Sequence, residues 1–203
     1  MTAAPPSAED TAPIRLGTRG SALALAQSQR VADSIAARTG LEVELVTITT
    51  HGDTSPEPLA SIGGAGVFVT AVREARDAAV VAGGVPLAEL AAGARVGTGS
   101  PRRRAQLRRR FPELEVVELR GNVDTRLARV LGDREGVAAD LDAVILAAAG
   151  LERLGRDDAI TEHLGIDGWP TAPGQGALAV EVRRGTRGPL ASALHSLDHS
   201  PTR

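Results

Sequence analysis

Apolar and polar positions alternate in short segments along this chain, and glycine-rich turns separate them. "IRLGTRG" (Ile14–Gly20) predicts a short strand ending in glycines, after which Ser21 caps an Ala/Leu-rich helix running to about Arg38, where Gly40 stops it. "LEVELVTITT" (Leu41–Thr50) alternates and is rich in β-branched residues, which predicts a second strand. A long loop follows in "HGDTSPEPLASIGGAGVF", with two prolines and a glycine cluster. "VFVTAVREARDAAVVAGG" begins with a partly helical pattern. It runs without a stop signal into "RDAAVV", which reads as the start of a strand, so the periodicity breaks there.

The pattern then repeats. "ARVGTGS" (Ala94–Ser100) is a strand ending in glycine and serine, and "PRRRAQLRRRF" continues it as a helix with Pro101 at its first position. "LEVVELR" (Leu114–Arg120) is the next strand, "NVDTRLARVLG" a helix opened by Asn122, and "LDAVILAAAGLERLG" a buried strand running into a helix. "WPTAPGQGALAVEVRR" (Trp169–Arg184) is a Pro/Gly crossing segment followed by a strand. "LGTRGSALALAQ" and "VGTGSPRRRAQ" share the order strand, Gly-Thr, Gly-Ser, helix. The expectation is therefore an α/β fold of two similarly built halves with a doubly wound, parallel-rich sheet.

Composition narrows the chemistry. The chain has 203 residues, a net charge of −2 and a pI near 6.1, so any anion site must come from local clustering rather than overall charge. Its 23 basic residues are all arginine and it contains no cysteine, which removes Schiff-base lysines, disulfides, thiolate metal sites and thiol nucleophiles. His51, His163, His195 and His199 show no metal-ligand spacing, so no metal is expected. "MTAAPPSAEDTAP" lacks the features of a secretory signal and reads as a disordered tail over residues 1–13, and no apolar run is long enough to span a bilayer. A cytoplasmic protein without membrane partners is the expectation.

Six arginines stand in the fifteen residues of "VGTGSPRRRAQLRRR". Gly-Ser turns place backbone N–H groups and a hydroxyl at a helix start, where an anion is favoured, although Ser21 and Ser100 are more often plain caps. Arg102 and Arg103 lie in the first turn, where a cation opposes the helix dipole by a few tenths of a kcal/mol unless an anion is present. Arg102, Arg103 and Arg104 span too wide an arc of the helix to share one face, and Arg108–Arg110 suit a solvated face or a nucleic-acid patch. In "LRGNVDTRLAR", Arg120 closes a strand and Arg126 lies one turn into a helix. Guanidinium forks around a cleft suit a ligand with several carboxylates. Nucleic acid is the rival ligand, but the chain is net acidic and its only aromatics are Phe68, Phe111 and Trp169, so no nucleic-acid partner is expected.

The stretches "IRLGTRGSALALAQSQRV", "VTITTHGDT", "IGGAGVFV", "ARVGTGSPRRRAQL", "VVELRGNVDTRL", "LDAVILAAAGLERLG" and "APGQGALAVEVR" together resemble the porphobilinogen deaminase (hydroxymethylbilane synthase) family across most of residues 14–184. The resemblance implies a transferase that joins porphobilinogen units into a linear tetrapyrrole with loss of ammonia, acting as a monomer and primed by a dipyrromethane cofactor on a cysteine of a third domain. It also implies two domains like those of periplasmic binding proteins, the first from residues 14–93 plus 174–188 and the second from 94–173. Residues 189–203 would be a stub leading to an absent third, α+β domain. By the same resemblance, Arg19 and Ser21 serve the cleft from the first domain, and Ser100, Arg102 and Arg103 bind cofactor carboxylates from the second. Arg120, Arg126 and Arg153 contact pyrroles, with Thr98, Asn122 and Gln175 as polar partners.

Two departures qualify this. The family's stretch close to "AVHSLKDLPT", which carries its catalytic aspartate, has no match, so the resemblance implies an internal gap near Ala75–Arg76, and Asp77 matches a later position. No catalytic residue is therefore assigned, and no residue of the chain can tether the cofactor. The expectation is a chain inactive by itself, or a non-catalytic polypyrrole-binding remnant, with the first half short of a central strand.

Overall fold

The computed structural model describes residues 13–49, 67–69 and 75–198. It separates into two compact units, one of residues 1–71 and 178–203 and the other of residues 72–177. The expected tail and most of the loop over residues 51–68 lie outside the described residues.

In the first unit, β1 (Ile14–Thr18) pairs in parallel with β2 (Val43–Thr47), and helix α1 (Ala22–Thr39) connects them. The α1 ends follow the sequence signals. Ser21 Oγ accepts the Ala24 N–H at 3.3 Å, and Gly40 takes the left-handed conformation (φ 69°) in which its N–H reaches the Ala36 carbonyl. Val67–Val69 forms β3 rather than part of a helix, antiparallel to β9 (Leu178–Val180), as β-branched and aromatic residues favour. Residues 189–197, expected to be part of a stub, form the C-terminal helix Pro189–Leu197. Its buried Leu194 and Leu197 share a core with Val31, Ile35 and Val180, because Ala, Leu and a proline at the first turn make an apolar helix face that needs covering.

The second unit is built on one mixed sheet of order β6-β5-β7-β4-β8, where β4 is Asp77–Val81, β5 Arg95–Thr98, β6 Glu115–Glu118, β7 Ala143–Ala147 and β8 Glu162–Leu164. The predicted strand at "RDAAVV" is β4, but it belongs here rather than to the first half. Residues 77–93 enter this unit because β4, all five residues buried, pairs antiparallel with both β7 and β8. Strand β8 carried no strong periodic signal, being only three residues long.

Parallel strands β5, β6 and β7 are joined by α2 (Pro101–Arg110) and α3 (Val123–Leu131), and β7 runs directly into α4 (Ala148–Arg153). Helix α3 shows why: Asn122 Oδ1 caps the Thr125 N–H at 2.8 Å, Asp124 complements the dipole, and Leu127, Ala128 and Val130 turn one apolar stripe to the sheet. One core gathers Val80, Leu119, Leu127, Val144, Leu146 and Leu151, and the other gathers Val81, Leu87, Val96, Leu107, Ile145 and Trp169. Among the described residues, no helix is long and apolar enough to cross a membrane and no group of His, Asp and Glu could hold a metal.

Leu127 is fully buried, whereas Leu131 at the end of the same helix is 41% exposed. Leu127→Ala is expected to lower stability by about 2–5 kcal/mol in urea unfolding, and Leu131→Ala by under about 1 kcal/mol.

Candidate functional site

The second unit places its polar groups at one end of the sheet. Strand β5 ends at Thr98, the Gly99-Ser100 turn follows, and α2 begins at Pro101. Because β4 runs antiparallel to β7, its first residue Asp77 sits opposite Ala147, the last residue of β7. Asp77 therefore lies at the carboxyl ends of the parallel strands, the usual position of a crevice in such sheets.

Asp77 has no solvent exposure, and four donors surround its carboxylate. Arg103 Nη2 donates to Oδ1 at 2.6 Å and Gln175 Nε2 to the same oxygen at 2.8 Å. On the other oxygen, Trp169 Nε1 donates at 2.8 Å and the Arg102 guanidinium forms an ion pair at 2.8 Å. An ionised carboxylate offers about four lone-pair sites, and all are engaged. Burial would raise the Asp77 pKa, but the hydrogen bond and charge of Arg103, with the Trp169 and Gln175 donors, outweigh it and hold the carboxyl below its ordinary range. A carboxylate so occupied cannot take a proton from a ligand. Asp77 acts as a structural counter-ion.

The arginines outnumber that one anion. Arg102 also reaches the Gln106 side chain at 2.8 Å, the Pro170 carbonyl at 2.9 Å and Gln175 Oε1 at 3.1 Å. Arg103 touches the Ile145 carbonyl at 3.3 Å, and its buried Nε has no protein hydrogen-bond partner. Arg126 donates from Nε to the Gly121 carbonyl at 2.8 Å, and burial together with the nearby Arg103 charge pushes its pKa down. Arg153 is buried at the end of α4 and donates to the Gly176 carbonyl, next to Gln175. Positive charge is thus in surplus around Asp77.

Other sequence candidates have structural work of their own. Ser100 Oγ accepts the Arg103 N–H at 3.4 Å, and buried Thr98 Oγ1 accepts the Ser100 N–H at 3.2 Å. Asn122 caps α3. Arg120 is exposed, with Glu118 at 3.8 Å, and Arg104 faces the same Glu118 at 3.8 Å. In the first unit, Ser21 caps α1 and Arg19 is exposed at the end of β1. Arg110 donates to the Gly168 carbonyl. Two members of the cluster were not anticipated. Asp77 stands at the edge of an apolar run, and Trp169 is the chain's lone tryptophan, whose indole N–H needs a partner when buried.

The family described as "Porphobilinogen deaminase, dipyromethane cofactor binding domain" matches residues 14–75 and 70–189. A "Porphobilinogen deaminase" of Leifsonia xyli is 49% identical over 227 residues, covering 93% of this chain and 67% of that protein. One from Micrococcus luteus is 46% identical, covering 90% of this chain and 60% of that protein, and one from Cutibacterium acnes is 46% identical, covering 94% and 69%. The chain thus spans 60 to 69% of the length of these relatives. The Leifsonia alignment, at 227 residues, is longer than the 203-residue chain, so it includes positions this chain lacks. The family match breaks within residues 70–75, beside the junction where the periodicity breaks. Solved structures share the fold: immunogenic lipoprotein A of Vibrio vulnificus has a TM-score of 0.53 at 14% identity, covering 93% of this chain and 96% of that one. The methionine-binding protein MetQ has 0.53 at 13%, covering 91% and 89%.

Because the Asp77 pKa is lowered on folding, its contribution is present above the unfolded carboxylate's pKa of about 3.9 and is lost as pH falls through the folded value. Asp77→Asn leaves buried guanidiniums without their anion. It is expected to cost about 3–5 kcal/mol at pH 7 in denaturant titrations followed by Trp169 fluorescence. The difference from the parent chain should shrink below about pH 4. A gap unchanged down to pH 3 would mean that Asp77 is not an ionised partner.

Proposed function

This chain belongs to the porphobilinogen deaminase family, and from that premise we propose that its second unit grips the carboxylates of pyrrole acids. The family assignment places it among the transferases of tetrapyrrole biosynthesis. The observation that carries the proposal is the surplus of guanidinium: Arg102 and Arg103 both pair with the one buried carboxylate of Asp77, whose lone pairs are already used, and Arg126 lies close enough to feel the Arg103 charge. A cationic cluster of this kind gains most from a ligand that brings further carboxylates, as the acetate and propionate arms of porphobilinogen do.

The dipyrromethane cofactor fits the same cluster, since Arg103 keeps an unused buried donor at Nε. Ser100, Arg102 and Arg103 would hold its acid groups, and Arg120, Arg126 and Arg153 those of further pyrroles, with Thr98, Asn122 and Gln175 as polar partners. When bound, the cofactor supplies the pyrrole end onto which further units are joined. The protein side is incomplete: the 203 residues contain no cysteine for the thioether, and Asp77 has no lone pair left for proton movement. The chain, proposed to work in the cytoplasm as a monomer, binds polypyrrole acids and does not itself polymerise porphobilinogen.

Titration with a synthetic dipyrromethane tetra-acid is expected to show saturable binding that Arg126→Gln weakens at least tenfold, or about 1.4 kcal/mol. Unchanged affinity in that variant would remove the arginine cluster as the binding site. Incubation with porphobilinogen followed by oxidation is expected to yield no uroporphyrin fluorescence. Its appearance would overturn the claim of inactivity.

A further inference from the structure

Gln175 sits in the turn of residues 173–176, where Gly174 and Gly176 take φ of 70° and 88°, a region open to glycine and rarely entered by other residues. The Gln175 N–H bonds the Ala172 carbonyl at 3.1 Å, the Ala177 N–H bonds the Gly174 carbonyl at 3.0 Å, and Arg153 donates to the Gly176 carbonyl. The backbone is thus fixed on both sides of Gln175. Its half-buried side chain is aimed at the start of β4.

There, Gln175 Nε2 donates to Asp77 Oδ1 at 2.8 Å and to the Ala75 carbonyl at 2.7 Å, while Oε1 accepts from Arg102 Nη2 at 3.1 Å. Both amide hydrogens are used, and the amide has one workable orientation: turned over, its oxygen would face two other oxygens and its NH₂ a guanidinium. The surroundings ask for two donors and an acceptor on one short planar group. A carboxylate has no hydrogen to donate, arginine and lysine cannot accept, and a hydroxyl has a single donor. Among side chains, a primary amide meets all three demands. Charge narrows the choice further. Asp77 neutralises one of the two guanidiniums paired with it, and the other keeps its charge. Gln175 on Oδ1 and Trp169 on Oδ2 complete the ring of donors around the carboxylate without altering that balance. A third arginine in place of Gln175 would repel the first two, and an acid would spend the remaining positive charge.

We propose that Gln175 is a positioning residue for the anion cluster: its neutral amide locks the Asp77 carboxylate and Arg102 into one arrangement while leaving the surplus positive charge available to a ligand. The proposal rests on the reading that this cluster grips pyrrole acids. It adds that Gln175 acts through Arg102 and Asp77, because its amide hydrogens are already committed to the protein. Fixing guanidiniums before the ligand arrives spares the ordering that binding would otherwise require.

The test is the affinity of the full chain for the synthetic dipyrromethane tetra-acid, measured beside the unfolding midpoint and expressed relative to the parent at each pH. Gln175→Leu removes the amide and is expected to bind at least tenfold more weakly, by a similar factor across the pH range. Gln175→Glu keeps the shape. Protonated, the new acid can donate to Asp77 and accept from Arg102, whereas ionised it repels Asp77 and cancels the surplus charge. Its relative affinity should therefore be at least tenfold down at pH 8 and recover toward the parent value as pH falls to about 4.5. A merely structural role would lower the unfolding midpoints and leave relative affinity flat with pH. Should Gln175→Leu misfold, the pH series of Gln175→Glu decides alone. Parent-like affinity in both variants, or a loss in Gln175→Glu that does not recover at low pH, would overturn this proposal and leave the wider reading standing. No binding by the parent chain, or unchanged affinity in Arg126→Gln, would overturn that reading and this proposal with it.

Discussion

A carboxylate taken wholly out of water organises the second unit. Desolvating such a group costs several kcal/mol, recovered only if its lone pairs are met by well-placed donors. Asp77 meets that condition with one donor set drawn from α2 (Arg102, Arg103), one from the Gly165–Trp169 turn and one from the crossing segment at Gln175. Two regions far apart in sequence, α2 and residues 165–175, are thereby tied to the start of β4. Gln175 extends the tie by donating to the Ala75 carbonyl at 2.7 Å, just before that strand.

The same constraint explains a local anomaly. Arginines in the first turn of α2 oppose the helix dipole, and Ser100 at the cap adds no negative charge. The compensating anion comes from another strand through the antiparallel entry of β4. It balances only part of the guanidinium charge nearby: Arg126, whose pKa is pushed down first by burial and then by the Arg103 charge, adds to the excess. Structural neutralisation and ligand attraction are thus two shares of one cluster. Arg102 and Arg103 hold the fold and, in the proposed role, also the ligand.

In the first unit, among the described residues, no strand pairs with the edge of β1 turned away from β2. Its β1–α1–β2 segment repeats the opening of the second unit, including the backbone orientation of the strand. In the second unit β7 lies beside the equivalent strand, with the neighbouring Leu141 side chain 2.6 Å from where a Gly97 Cβ would stand. In the first, Ile48, half exposed, lies over Gly17.

Local signals in the sequence specified most of the helices, because caps act within three residues: Ser21, Ser100 and Asn122 each bind an N–H three positions on, and Gly40 and Gly132 end their helices in the left-handed conformation. The repeated Gly-Thr and Gly-Ser turns likewise disclosed two related α/β halves, and the family's motifs disclosed its membership. The sequence could not show which half β4 would join. A five-residue apolar strand satisfies its backbone equally well in either sheet, and only pairing with β7 and β8 decides. Nor could it show that the arginines of α2 already have an anion, since Asp77 and Trp169 are 92 residues apart and meet only through the fold. Short-range hydrogen bonding and periodicity were written in the sequence, whereas long-range charge compensation and strand order were settled by tertiary packing.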